Sequence, residues 1–239
     1  MTDTETKPLD FTGEFFMPGK SGRRIEEDHL ERYHFASKFV VGRTVLDIAC
    51  GAGYAAPILV QAGAISYDGV DLNAQLINYD NQTYGANNIR YTIGNICTFD
   101  NGRQYDLITC FETIEHVPDY RSALQNLFRL LQPGGKLLIS SPNRPITSPQ
   151  AHTLNAKPSN AFHVQEFLPD ELIRALQAVG FTVSPDDLYG QRQRTVHHFW
   201  LTRKITRLLK GNPDKITSAS VQRVTSLTPR YFILIATKV

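Results

Sequence analysis

The chain has 239 residues, 41% hydrophobic and 20% charged, the proportions of one globular domain and not two. Lys and Arg number 25 against 23 Asp and Glu, a net charge of +2, so no overall field selects a nucleic acid or an acidic polymer as partner. No apolar run approaches the roughly 20 residues of a membrane helix, and the first ten residues lack the basic start and apolar core of a signal peptide. Cys50, Cys97 and Cys110 suit reduced thiols, so the cytoplasm is the expected location.

In chain order, a loop rich in Pro and Gly leads into a predicted helix over 26–41, with Leu30, Tyr33, His34, Phe39 and Val40 at helical spacing. Apolar runs then alternate with helical patterns: strand 44–49, helix 54–61, strand 67–71, helix 74–84, strands 89–93 and 106–110, helix 120–131 and strand 136–140. Such alternation predicts a parallel sheet covered by helices on both faces. A Pro- and Asn-rich stretch over 141–167 follows, long enough for a lid or binding loop. A helix near 169–178 and strands near 181–183 and 230–236 complete the pattern. The segment 192–230 holds nine basic residues against one acid, Asp214, which leaves the remainder at net −6.

The junction Val45-Leu-Asp47-Ile-Ala-Cys-Gly51-Ala-Gly53-Tyr-Ala-Ala56 fits a relaxed dinucleotide fingerprint, and Asp71, 20 positions past Gly51, is placed to accept ribose hydroxyls. Asp47 argues against a pyrophosphate, because a carboxylate at the loop mouth repels phosphate, and no Lys or Arg in the segment offsets it. A ligand bearing an ammonium and a sulfonium is attracted instead, directly or through water. S-adenosylmethionine is such a ligand.

At this point the chain resembles the class I S-adenosylmethionine-dependent methyltransferases over roughly 26–190. Val45–Gly53 resembles their first motif, and Gly69-Val-Asp71-Leu72 their ribose-binding acid. Gly94-Asn95-Ile96 resembles their adenine-contacting turn, with Asn95 where Asp is usual. Phe111-Glu112-Thr-Ile-Glu115-His116-Val-Pro-Asp119 and Leu131-Gln-Pro-Gly-Gly-Lys-Leu resemble the motifs flanking the helix after the fourth strand, with Cys110 and Phe111 as expected cofactor contacts. The resemblance implies an α/β Rossmann-like fold, seven mostly parallel strands with the last antiparallel, and S-adenosylhomocysteine as product. Length and patterning together give one domain over 1–239 with an N-terminal cap 1–42, a lid 141–167 and a basic helical insertion 190–228. Three segments, Gly13-Glu-Phe-Phe-Met-Pro with Asp28–Tyr33, Ser141–Arg144 and Asn160–Phe167, resemble a subgroup associated with sugar and glycan O-methylation.

Methyl transfer to an alcohol needs alignment, exclusion of water and a base for the hydroxyl proton. His116, after the fourth strand, is the leading base, although it could equally pack beside Pro118. His163 could pair with Glu166, three residues on, or anchor its loop. Asn143, Arg144 and Glu166 are candidate acceptor contacts, with a turn role open for Asn143. Arg32 and Tyr33 are candidates for the cofactor's carboxylate, although Tyr33 on a helix could simply be core. Glu112 and Glu115 show no metal spacing, so no metal is expected.

The basic segment, with His197, His198, Phe199, Trp200 and Leu201, reads as a helix covering the cleft or making a homodimer contact. A surface for anionic lipid or a phosphorylated acceptor is the sharper alternative, and the scarcity of interleaved aromatics disfavours RNA. The expected activity is O-methylation of a sugar or glycan hydroxyl. Phenol, amine, carboxylate or phosphate-type acceptors, a nicotinamide oxidoreductase and a non-catalytic binding module remain as alternatives.

Overall fold

The computed structural model describes residues 16–17, 19–193, 219–224 and 228–239. The helical reading of 197–209 therefore lies outside the described residues. The elements are α1 (Arg23–Ala36), β1 (Thr44–Ile48), α2 (Ala55–Gln61), β2 (Ser66–Asp71), α3 (Ala74–Tyr84), β3 (Ile89–Ile93), β4 (Tyr105–Cys110), α4 (Tyr120–Leu130) and β5 (Leu131–Pro142). They continue with α5 (Arg144–Thr147), α6 (Pro169–Val179), β6 (Phe181–Thr182), β7 (Leu188–Gln191), β8 (Gln222–Arg223) and β9 (Tyr231–Lys238).

The sheet runs β3-β2-β1-β4-β5-β9-β7-β8, with β6 also on β9. Strands β1 to β5 are mutually parallel, and β9 is antiparallel to β5, β6 and β7. This is the expected Rossmann-like class, with nine strands among the described residues where seven were expected. The surplus arises at the far edge. The strand expected over 181–183 is a two-residue pairing, and Leu188–Gln191 takes the place beyond β9 because β9 offers it a complete ladder.

Period-two alternation splits the core into two layers. Val45, Leu107, Leu138, Ile233 and Ile235 face α1, α2 and α3. Their neighbours Leu46, Ile108, Leu137, Ile139, Phe232 and Leu234 face α4 and α6. Helix ends follow local chemistry. Asn73 accepts from the amides of Gln75 and Leu76 at the start of α3 (2.9 and 3.3 Å), and Asp119 accepts from Ser122 N–H at the start of α4. Helix α1 stops five residues before the expected Val41, tightening into a 3-10 turn over Ser37–Phe39. Residues 132–135 bulge out of β5, since pairing jumps from Tyr105↔Leu131 to Leu107↔Lys136.

Candidate active site

A cavity of about 980 Å³ opens over the carboxyl ends of β1, β2 and β4, where open parallel sheets bind ligands. Its floor is the turn after β1. Ala49, Gly51 and Gly53 hold φ of 60°, 58° and 66°, the left-handed region that glycine enters without steric cost. A Cβ on Gly51 would meet nothing within 4 Å, whereas one on Gly53 would sit 2.7 Å from Asp80 Cγ. Gly51 therefore faces the cavity, and Gly53 seats the loop on α3 without lining it.

Asp47 does not line the cavity either, which revises the expectation of a direct or water-bridged contact. It lies two residues after Val45 and shares its face, buried beneath the floor. Its oxygens accept from Tyr33 Oη (3.1 and 3.0 Å), Tyr67 Oη (2.7 Å) and Thr109 Oγ1 (2.6 Å). Burial pushes its carboxyl up to about 6 in spite of those three donors, with the nearby Asp71 adding to the rise. Its charge meets the cavity only through Tyr33, which does line it.

Asp71 ends β2 and accepts from the amides of Gly51 (3.0 Å) and Asn73 (2.9 Å), while burial raises its carboxyl above the usual range. Beside it Leu72 is 66% exposed along the cavity, an apolar side chain left for a ligand to cover. Ile96 and Phe111 line the same chamber. Asn95 and Cys110 do not. The Asn95 carbonyl accepts from Cys97 N–H at 2.8 Å and caps its own turn, and Cys110 is fully buried in the α4-side core.

The other half of the cavity is built by the short 3-10 turn Ile114–His116 and the stretch 141–167. The backbone amides of Val164 and Gln165 donate to Glu115 O, and Gln165 Nε2 donates to Ile114 O and Val117 O. This stitching brings His163 to His116, with ring centroids 4.8 Å apart and planes at 88°. His163 Nδ1 lies 2.6 Å from Glu166 Oε1 and Nε2 lies 2.9 Å from Asn160 Nδ2. His116 Nδ1 lies 2.9 Å from Phe162 O. Burial raises the Glu166 carboxyl, but the hydrogen bonds from His163, Thr147 and Ser148 outweigh it and hold it below the usual range.

Asn143 and Arg144, expected to meet the acceptor, instead hold this stretch in place. Asn143 donates to Pro229 O at 2.9 Å. Arg144 makes paired 2.8 Å bonds to the Glu171 carboxylate and a third to Glu166 O. Neither lines the cavity. The stretch is also less of a loop than expected, because 141–142 still belong to β5 and 144–147 form α5.

Arg32, expected as a contact for the cofactor's carboxylate, lines the cavity, and so does His29, which carried no sequence signal of its own. Arg32, 1% exposed, donates to Gln191 Oε1 at 2.7 Å, lies 3.9 Å from Glu112 and stacks over Tyr231, and its Nε has no hydrogen-bond partner. His29 stacks on Phe16 and shares a 3.0 Å hydrogen bond with Tyr54 Oη. Burial, and then the Arg32 charge, keep its imidazole well below its usual range and so neutral. The partners are far apart in the chain, so spacing could not reveal them.

A Rossmann-like sheet with a glycine turn, an acid at the end of β2 and a cavity above both defines the class I S-adenosylmethionine-dependent methyltransferases. Residues 22–185 match the methyltransferase domain family, and the chain belongs to it. It is 32% identical over 181 residues to a probable S-adenosylmethionine-dependent methyltransferase of Mycolicibacterium smegmatis, covering 73% of this chain and 66% of that one. It is 38% identical over 106 residues to a ubiquinone biosynthesis O-methyltransferase of Coxiella burnetii, covering 43% and 45%. The chain thus spans about half to two thirds of these relatives. Among solved structures, a methyltransferase from Thermotoga maritima shares the fold at TM-score 0.61 and 16% identity, with 90% of each chain covered. The N-methyltransferase NodS of Bradyrhizobium japonicum, in complex with S-adenosylhomocysteine, does so at 0.56 and 18%, covering 90% and 86%. No helix among the described residues is long and apolar enough to cross a membrane.

Proposed function

We propose that the protein transfers the methyl group of S-adenosylmethionine to a hydroxyl oxygen of a polar small molecule, a sugar or glycan unit being the acceptor class. The observation that carries this reading is the His163–Glu166 pair lining the same cavity as the glycine turn. Relatives named as ubiquinone biosynthesis O-methyltransferases support oxygen as the acceptor atom. The hydroxyls and amide of Thr147, Ser159 and Asn160 around the pair suit a polyhydroxylated acceptor.

In this reading Asp71 accepts the ribose hydroxyls, the Gly51 turn admits the cofactor's backbone, and Leu72 with Ile96 flanks the adenine. Arg32, whose Nε lacks a partner, faces the carboxylate of the methionine part. The bound donor supplies a methyl on a sulfonium, a leaving group already activated. The protein aligns the acceptor, excludes water and takes a proton. His163 Nδ1–H donates to Glu166, which fixes the tautomer that presents Nε2 as the base. As the O–CH3 bond forms, the hydroxyl proton passes to Nε2, the S–CH3 bond breaks and its electrons neutralise sulfur. His116 faces the same chamber and orients the hydroxyl.

The test is incubation with methyl-labelled S-adenosylmethionine and a cell extract fractionated by chemical class. Label in carbohydrate supports the reading, and label confined to quinone precursors or other fractions replaces the sugar with that class. With the acceptor in hand, His163→Ala is expected to lower kcat by about 10² or more, as loss of a general base does. S-adenosylhomocysteine affinity should stay unchanged. Full turnover in the variant removes His163 from proton transfer.

A further inference from the structure

Glu115 is 1% exposed, lines the cavity, and neither carboxylate oxygen has a hydrogen-bond partner. A buried carboxyl left in this condition is costly, and it is explained by a retained proton, a catalytic role, or a water or ion that completes it. The two histidines are its neighbours. One ligand atom from each of Glu115, His116 and His163 can be chosen so that all three lie within 4.8 Å of one another.

The histidine tautomers point the same way. His116 Nδ1 is held by the Phe162 carbonyl and His163 Nδ1 by the Glu166 carboxylate. The carbonyl and the carboxylate can only accept, so each Nδ1 carries a hydrogen, and in the neutral imidazole the lone pair is then on Nε2. A carbonyl or carboxylate behind each imidazole is the arrangement that orients histidine toward a metal and raises its basicity.

We propose that Glu115, His116 and His163 bind a divalent first-row transition-metal cation, of the zinc, cobalt or manganese kind, beside the acceptor hydroxyl. Two imidazoles and one carboxylate match the donor preference of such ions and leave coordination positions open. Atoms bound to one ion at about 2.1 Å lie roughly 3–4 Å apart, so the three side chains draw together by about 1 Å on binding. Asn160 gives up its contact with His163 Nε2 at the same moment. The expectation of no metal came from the sequence spacing of Glu112 and Glu115, which could not show that His163 folds back across 47 residues onto His116.

The use of the cation rests on the O-methyltransferase reading, but its binding does not. A coordinated acceptor hydroxyl loses its proton to water more readily, as metal-bound water does. The resulting oxygen attacks the methyl carbon while the S–CH3 electron pair stays on sulfur. His163 is thus the base of the metal-free protein and a ligand once the ion is bound, the proton then leaving to water.

The test is titration of chelator-stripped protein with Co2+, followed by visible absorption, with no acceptor present. A d–d spectrum saturating at one equivalent is expected. Glu115→Gln, an isosteric change, should abolish it, and Glu166→Gln should weaken binding about 10-fold or more through the supporting shell. Thermal stabilisation by S-adenosylhomocysteine verifies that each variant keeps its fold. A silent titration at millimolar Co2+, or a spectrum that survives Glu115→Gln, overturns the site and leaves Glu115 a carboxyl that simply keeps its proton. Failure of methyl transfer alone would count against the activity and not against the metal.

Discussion

Asp71 is a joint as well as the proposed ribose contact, because its oxygens also accept the amides of Gly51 and Asn73. Asp71→Asn keeps the shape and removes the charge. Hydrogen bonds to a charged group are worth about 1.5–3 kcal/mol, so S-adenosylhomocysteine should bind about 10- to 100-fold more weakly by calorimetry, and equal affinity would remove Asp71 from the ribose. This acid was legible from its distance to Gly51, and the glycine turn from its spacing. Asp47 was legible as a necessary carboxylate but not as a hidden one, since the hydroxyls that satisfy it come from α1, β2 and β4. Asn143 and Arg144 misled for the same reason. Their partners Pro229 and Glu171 are 86 and 27 residues away, and nothing local marks a clamp.

Among the elements, the stretch 141–167 depends on that clamp. Arg144 is almost fully buried, its paired bonds to Glu171 are both 2.8 Å, and its third bond steadies the Glu166 backbone. Breaking a buried pair from one side costs about 3–5 kcal/mol, and Arg144→Ala should approach the lower end because Glu171 is partly solvated. A urea midpoint within error of wild type would show that the clamp carries no such load. Since α5 and the following turn carry Thr147, Asn160 and His163 into the cavity, the acceptor KM should rise while cofactor affinity holds. The alternating core strands were readable because each carries apolar residues of period two or a continuous apolar run. Strand β7, Leu-Tyr-Gly-Gln, was not. It has no strand signature and exists because β9 offers a partner edge.

For the molecule as a whole, the acids under the cofactor floor set the pH response. Asp47 is pushed up to about 6 and Asp80, beneath the glycine turn, to about 8, in each case chiefly by burial. Both hold protons in the fold that the unfolded chain has lost above about pH 4, so stability falls as pH rises from there toward each raised value. From pH 6 to 8 Asp80 is the one of this pair still to titrate. Asp80→Asn should therefore flatten the decline of the urea midpoint across that window, by at most one proton, about 1.4 kcal/mol per pH unit. An unchanged slope would mean that Asp80 is ionised throughout. The sheet order has its own consequence for synthesis on the ribosome. Strand β9 is wedged between β5 and β7, yet it begins 89 residues after β5 ends. Until those residues emerge, the nascent sheet presents Leu137–Ser141 as a raw hydrophobic border, the kind of edge on which chains aggregate. A chaperone guarding that border would be needed for longer than the early appearance of the glycine turn suggests.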